Sequence, residues 1–155
     1  MTGDKKVILK VENLRTWFPV TKGMFKKVVG HVKAVDDVSM EIYQGETLGI
    51  VGESGCGKST FGKSVMRLEK ITDGKVWFDY EGEFKDIAQF NAKEMFEFRK
   101  KVQMVFQDPY SALNPQKTIY TSLEEPLKTH GYDSVEEREE IMRRVLKLVN
   151  IPSEY

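Results

Sequence analysis

An α/β fold arranged around a phosphate-binding loop is predicted by three features of the sequence. A short apolar run, residues 47–51 (TLGIV), leads directly into a glycine-rich stretch, residues 52–59 (GESGCGKS). A segment with apolar side chains at every second position, within residues 31–43, precedes that stretch, which is the pattern of a half-buried strand. The last third of the chain turns helical and charged. Composition agrees: the 155 residues are 40% hydrophobic, 11% aromatic and 31% charged, enough core-forming surface to exclude disorder as the main state.

Charge and cysteine usage narrow the class further. Lys plus Arg number 24 and Asp plus Glu number 24, which argues against a dedicated nucleic-acid binder. The single Cys56 has no partner for a disulfide. No apolar run approaches the ~18 residues of a membrane span, and the opening MTGDKKVILK lacks the long apolar stretch of a secretory leader. One cytosolic domain, with no direct membrane insertion, is the expectation.

Taken in order, residues 7–18 (VILKVENLRTWF) read as a strand entering a turn, broken by Pro19 and Gly23. Residues 24–30 (MFKKVVG) read as an exposed hairpin. Residues 31–43 read as a second strand, in which Val38, Met40 and Ile42 alternate with Ser39, Glu41 and Tyr43. After a turn at Gln44-Gly45, TLGIV has the continuous apolar character of a strand buried on both faces. A helix begins inside residues 57–69, with Phe61, Val65, Met66 and Leu68 at helical spacing. Asp73-Gly74 turns the chain into a strand at 75–80 (KVWFDY). Residues 92–101 look helical, and 102–106 (VQMVF) look like another strand. Beyond Asp108-Pro109 and Asn114-Pro115, Ser134 and Glu137 have capping-box spacing. The helix they open carries Val135, Ile141, Met142, Val145, Leu146 and Val149 on one face, which packs on its own domain. Ile151-Pro152 ends it.

The chemistry resides in GESGCGKS, a full match to G-x-x-x-x-G-K-[ST] in the context that motif requires, after an apolar strand and before a helix. A triphosphate tail carries several negative charges that must be held without a solvating shell. Backbone N–H groups across Glu53, Ser54, Gly55, Cys56, Gly57 and Lys58 can converge as a concave anion nest. Gly52, Gly55 and Gly57 permit the unusual dihedrals and the close approach. The helix start adds its positive end. In this reading Lys58 bridges β- and γ-phosphate oxygens, Ser59 ligates Mg²⁺ and Thr60 reaches the α-phosphate.

With VKAVDDVSMEIYQGETLGIVGESGCGKST and VQMVFQDPYSALNP on the page, the chain resembles the ATP-binding subunits of ABC transporters, most closely the oligopeptide/dipeptide importer branch. The resemblance runs from about residue 9 to about residue 150 and covers the front part of the family's longer domain. It implies a P-loop NTPase core with an N-terminal antiparallel β-subdomain and the start of a helical subdomain. That is a single, partial domain over 1–155, with the β-subdomain and P-loop core over about 1–107 and the helical start over about 108–155. It implies ATP and Mg²⁺ as cofactors. Phe18 would be the aromatic that stacks on adenine, with Trp17 as fallback, and Gln107 would be the Q-loop glutamine that touches Mg²⁺ and the attacking water. Two membrane permease subunits, a second ATP-binding subunit and an extracytoplasmic peptide-binding protein would be the partners, at the cytoplasmic face of the inner membrane. The implied activity couples ATP binding and hydrolysis to peptide import, with cargo choice lying in other subunits.

Hydrolysis needs more than a P-loop: a carboxylate on Mg²⁺, a group that positions water, and charge stabilisation at the γ-phosphate. The sequence contains no LSGGQ signature. Asp79 (VWFD) and Asp108 (VFQD) only imitate the acidic strand end, and neither His31 nor His130 stands where the family places its switch histidine. The chain alone is therefore expected to bind nucleotide without turning it over, as a front half of the domain. The alternative is a nucleotide-binding or interaction fragment with no ATPase activity of its own. An unrelated P-loop kinase or GTPase would need a base-reading N/T-K-x-D motif or an arginine-rich lid, and the sequence has neither.

Overall fold

The computed structural model describes residues 5–108 and 113–152. The chain divides into two compact units, residues 1–104 and 105–155.

The first unit is a four-stranded antiparallel sheet of order β2-β1-β3-β4 with two helices. Strand β1 (Val7–Lys22) and strand β2 (Lys27–Tyr43) form one long hairpin. Pro19 does not end β1, as the sequence suggested; it pairs with His31. Past Arg15, β1 pairs among the described residues with β2 alone, and a strand with a free edge tolerates a residue without an N–H. Strand β3 (Asp73–Tyr80) pairs with β1, and β4 (Glu83–Asp86) pairs with β3. Asp73-Gly74 is not the expected turn but the irregular first rung of β3. Gly74 has φ 88°, and a Cβ there would lie 2.4 Å from the Asn13 carbonyl oxygen.

Helix α1 (Lys58–Val65) and helix α2 (Ala92–Lys101) supply apolar side chains to one core with the sheet. Leu9, Val11 and Leu14 of β1 meet Val76 and Phe78 of β3, Phe61 and Val65 of α1, and Met95 and Phe98 of α2. Phe98 is fully buried, edge-on to Phe78 at 5.0 Å and to Phe90 at 5.8 Å. Val38, Met40 and Ile42 pack against this core from β2, as their alternation predicts. Asn91 caps α2 with a reciprocal box: its side chain accepts from the Glu94 amide, and Glu94 accepts from the Asn91 amide.

Two expected strands are absent. Residues 46–53 and 102–106 have no ladder partner among the described residues, and Val51 (96% exposed) and Val105 (94%) stand in solvent. The physical reason is pairing: an apolar run becomes a buried strand only when another strand satisfies its amides and carbonyls, and the β2-β1-β3-β4 order offers neither run a neighbour.

The second unit contains α3 (Ile119–Thr129) and α4 (Val135–Leu148). The Ser134 hydroxyl accepts from the Glu137 amide but gives its own proton to Glu136, so only half of the expected box forms. Arg138 holds the two helices together. Its guanidinium is buried, pairs with Glu124 at 3.0 Å, and donates to the carbonyls of Tyr132 and Asp133 at 2.8 and 2.7 Å. Along the predicted apolar face of α4, Met142 is buried, Ile141 and Leu146 are half-buried, and Val135, Val145 and Val149 are exposed.

Candidate phosphate-binding site

The glycine-rich loop folds around its own lysine. Lys58 Nζ donates to the carbonyls of Gly52 at 2.7 Å and Glu53 at 2.6 Å and lies 3.5 Å from Cys56 Sγ. These bonds bend residues 52–58 into a ring with the ammonium inside. The backbone of the ring requires two of its glycines. Gly55 and Gly57 have φ of 80° and 95°, a Cβ on Gly57 would lie 1.9 Å from the Ala34 carbonyl oxygen of β2, and one on Gly52 would lie 2.7 Å from Cys56 Sγ.

Gly57 is also the N-cap of α1, and it brings no side chain to bond the helix's first amides. The first turn of α1 holds no acidic residue either. The positive helix end and its free N–H groups thus open onto the loop, which is where an anion is most strongly held. Ser59 is exposed on this first turn and Thr60 is half-buried. Beside the loop lies a cleft of about 350 Å³, lined by Val35, Val38, Met40, Ile50, Val51 and Phe61, with Lys33, Asp36 and Lys58 at its polar end.

Helix α1 is fixed against β1 by a buried chain of hydroxyls that sequence reasoning missed. Ser64 Oγ donates to the Thr60 carbonyl at 2.7 Å, so Thr16, at 2.8 Å, donates to Ser64. Both side chains are fully buried. The available signal was a threonine and a serine interrupting two apolar faces. Arg67, just past α1, bonds the carbonyls of Ile87 and Phe90 and anchors the other end.

The two candidate base-stacking aromatics differ. Trp17 is engaged: its indole N–H donates to Asp36 at 3.1 Å and Lys33 Nζ sits 4.6 Å above its ring. Phe18, opposite Val32, is 39% exposed and has no ring partner among the described residues. Gln107 belongs to the second unit and is exposed. Of the FQDPYSALNP segment, residues 109–112 lie outside the described residues. Asp79 is a structural group, paired with Lys6 and accepting from the Gly82 amide at 2.8 Å in the turn that joins β3 to β4. The Lys6 ammonium, with help from that amide, holds its carboxyl below the ordinary value.

The ABC transporter family description matches residues 35–154. The chain belongs to the ABC transporter family. Among curated ABC relatives, it is 42% identical over 149 residues to the oligopeptide transport ATP-binding protein AppF of Bacillus subtilis, covering 96% of this chain and 44% of that protein. It is 45% identical over 130 residues to the oligopeptide transport ATP-binding protein OppF of Salmonella typhimurium, covering 82% of this chain and 37% of that one. The chain thus spans less than half the length of these relatives. Among solved structures, a dimeric ATP-binding cassette in a post-hydrolysis state bound to ADP and Pi superposes with a TM-score of 0.68 at 26% identity, over 92% of this chain and 57% of that one. The fold is that of an ABC cassette, present in part. No helix among the described residues is long and apolar enough to cross a membrane.

Proposed function

We propose that this chain is the nucleotide-holding part of an ATP-binding subunit that couples ATP binding and hydrolysis to peptide import. The observation that carries this reading is the ring of residues 52–58 closed on the Lys58 ammonium at the uncapped start of α1. Polyphosphate oxygens there would meet the uncapped start of α1 and one ammonium. Lys58 exchanges its loop carbonyls for β- and γ-phosphate oxygens, and Gly52, Glu53, Ser54, Gly55, Cys56 and Gly57 supply the wall. Phe18, with its ring free, is the adenine platform.

Magnesium fits this site only as part of the nucleotide complex. Among the described residues no group of three or more His, Cys, Asp and Glu side chains could hold a metal. Ser59 offers a single exposed hydroxyl, and Mg²⁺ commonly takes few protein ligands alongside phosphate oxygens and water. Gln107 is assigned to the same ion and to the attacking water. When bound, magnesium offsets charge on the phosphates; the chain's own part is to seat and orient them.

The peptide assignment rests on the two oligopeptide relatives. Permease subunits, a second ATP-binding subunit and an extracytoplasmic peptide-binding protein are the corresponding partners, at the cytoplasmic face of the membrane. The test is a reconstituted importer in which this chain replaces the matching segment of the Bacillus subtilis relative. ATP-dependent uptake of an oligopeptide, abolished by Lys58→Ala, is the expected result. Nucleotide binding without any uptake, in a subunit that assembles normally, would contradict the peptide assignment.

A further inference from the structure

The hairpin of β1 and β2 ends in a tip that the nucleotide site does not use. Met24 and Phe25 occupy its turn side by side, each 93% exposed. The turn closes through the Lys26 amide on the Gly23 carbonyl, with left-handed backbone at both residues. Lys22 and Lys27 stand directly opposite each other on the last rung. Like charges in that position repel and weaken a hairpin. Neither they nor Lys26 make an ion pair among the described residues. The chain as a whole is electrically balanced, yet residues 16–35 contain four lysines and no Asp or Glu.

Two local rules are broken at one place: large apolar side chains at a solvent-facing turn, and cations paired with cations. Such conflicts mark functional positions when one external partner relieves both. A single surface does so here, apolar just beneath a layer of negative charge. We propose that this tip docks on an anionic lipid surface, with Met24 and Phe25 entering the headgroup boundary and Lys22, Lys26 and Lys27 against lipid phosphates. Behind Met24 and Phe25 the exposed apolar stretch continues along the hairpin through Val20, Val28 and Val29, and a bilayer presents many phosphates to three lysines at once. The proposal stands apart from the transport reading, since it requires neither nucleotide nor cargo.

The test is co-sedimentation of the full chain, without nucleotide, with phosphatidylcholine vesicles and with vesicles in which part of that lipid is replaced by phosphatidylglycerol. The expected result is binding that needs phosphatidylglycerol and falls with added salt. A variant combining Lys22→Gln, Lys26→Gln and Lys27→Gln weakens it about a hundredfold. A variant combining Met24→Ser and Phe25→Ser also releases the chain, with melting curves showing both variants folded. Equal binding to both vesicle types, or undiminished binding by either folded variant, overturns the proposal. So does failure to bind vesicles while the same substitutions abolish binding to a permease protein.

Discussion

At the scale of single residues, the site is a set of positions where one atom decides the outcome. Gly57 is the strictest. Its φ of 95° costs any L-side chain about 1–2 kcal/mol, and a Cβ there would run into the Ala34 carbonyl. Gly57→Ala is therefore expected to lower stability by more than that backbone cost and to abolish nucleotide binding, read by chemical denaturation and by nucleotide titration. Ser64 is a quieter case. Ser64→Ala leaves the buried Thr16 hydroxyl without its acceptor, at about 1–3 kcal/mol. Denaturant unfolding should show that loss, while pairing the change with Thr16→Val should recover part of it. Asp79 gives a pH signature. Its native carboxyl takes up a proton at lower pH than the ordinary 3.8, because the Lys6 ammonium and the Gly82 amide favour the charged form. The stabilisation is complete above the unfolded value and disappears as pH falls through the native one. Asp79→Asn should accordingly flatten the fall in melting temperature between neutral pH and about pH 3.

At the scale of elements, what the sequence disclosed depended on whether the signal was local. Helix α2 runs over residues 92–101 as the sequence predicts, and the structure adds a cap at Asn91 that lies beside it in the chain. The alternation of Val38, Met40 and Ile42 likewise placed one face of β2 on the core. Residues 47–51 and 102–106 have the apolarity of strands without forming them, because pairing depends on another segment and apolarity alone does not supply one. The β3–β4 hairpin went unseen, although Glu81-Gly82, both at positive φ, marks its two-residue turn. In the candidate site, spacing alone singles out residues 52–59, and the structure closes 52–58 into one loop around Lys58. The self-bonding of Lys58 and the Thr16–Ser64 link were not legible, since they join atoms through folded space. The sheet and α2 meet at Phe98, so Phe98→Ala should cost about 3–5 kcal/mol, measured by denaturant unfolding.

At the scale of the whole molecule, the chain forms two compact units, residues 1–104 and 105–155. The first builds an antiparallel sheet whose core holds α1, and α1 in turn presents the loop. The second carries Gln107 and a helical hairpin held by the buried Arg138–Glu124 pair. All of the chain's proposed work depends on whether the ring around Lys58 opens to admit phosphate. The most direct measurement is a calorimetric titration of the full chain with Mg-ATP, in parallel with Lys58→Ala. Saturable one-to-one binding by the parent, lost in a variant that melts at an unchanged temperature, is the predicted result. Equal binding by both, or none by the parent at millimolar Mg-ATP, would contradict the account.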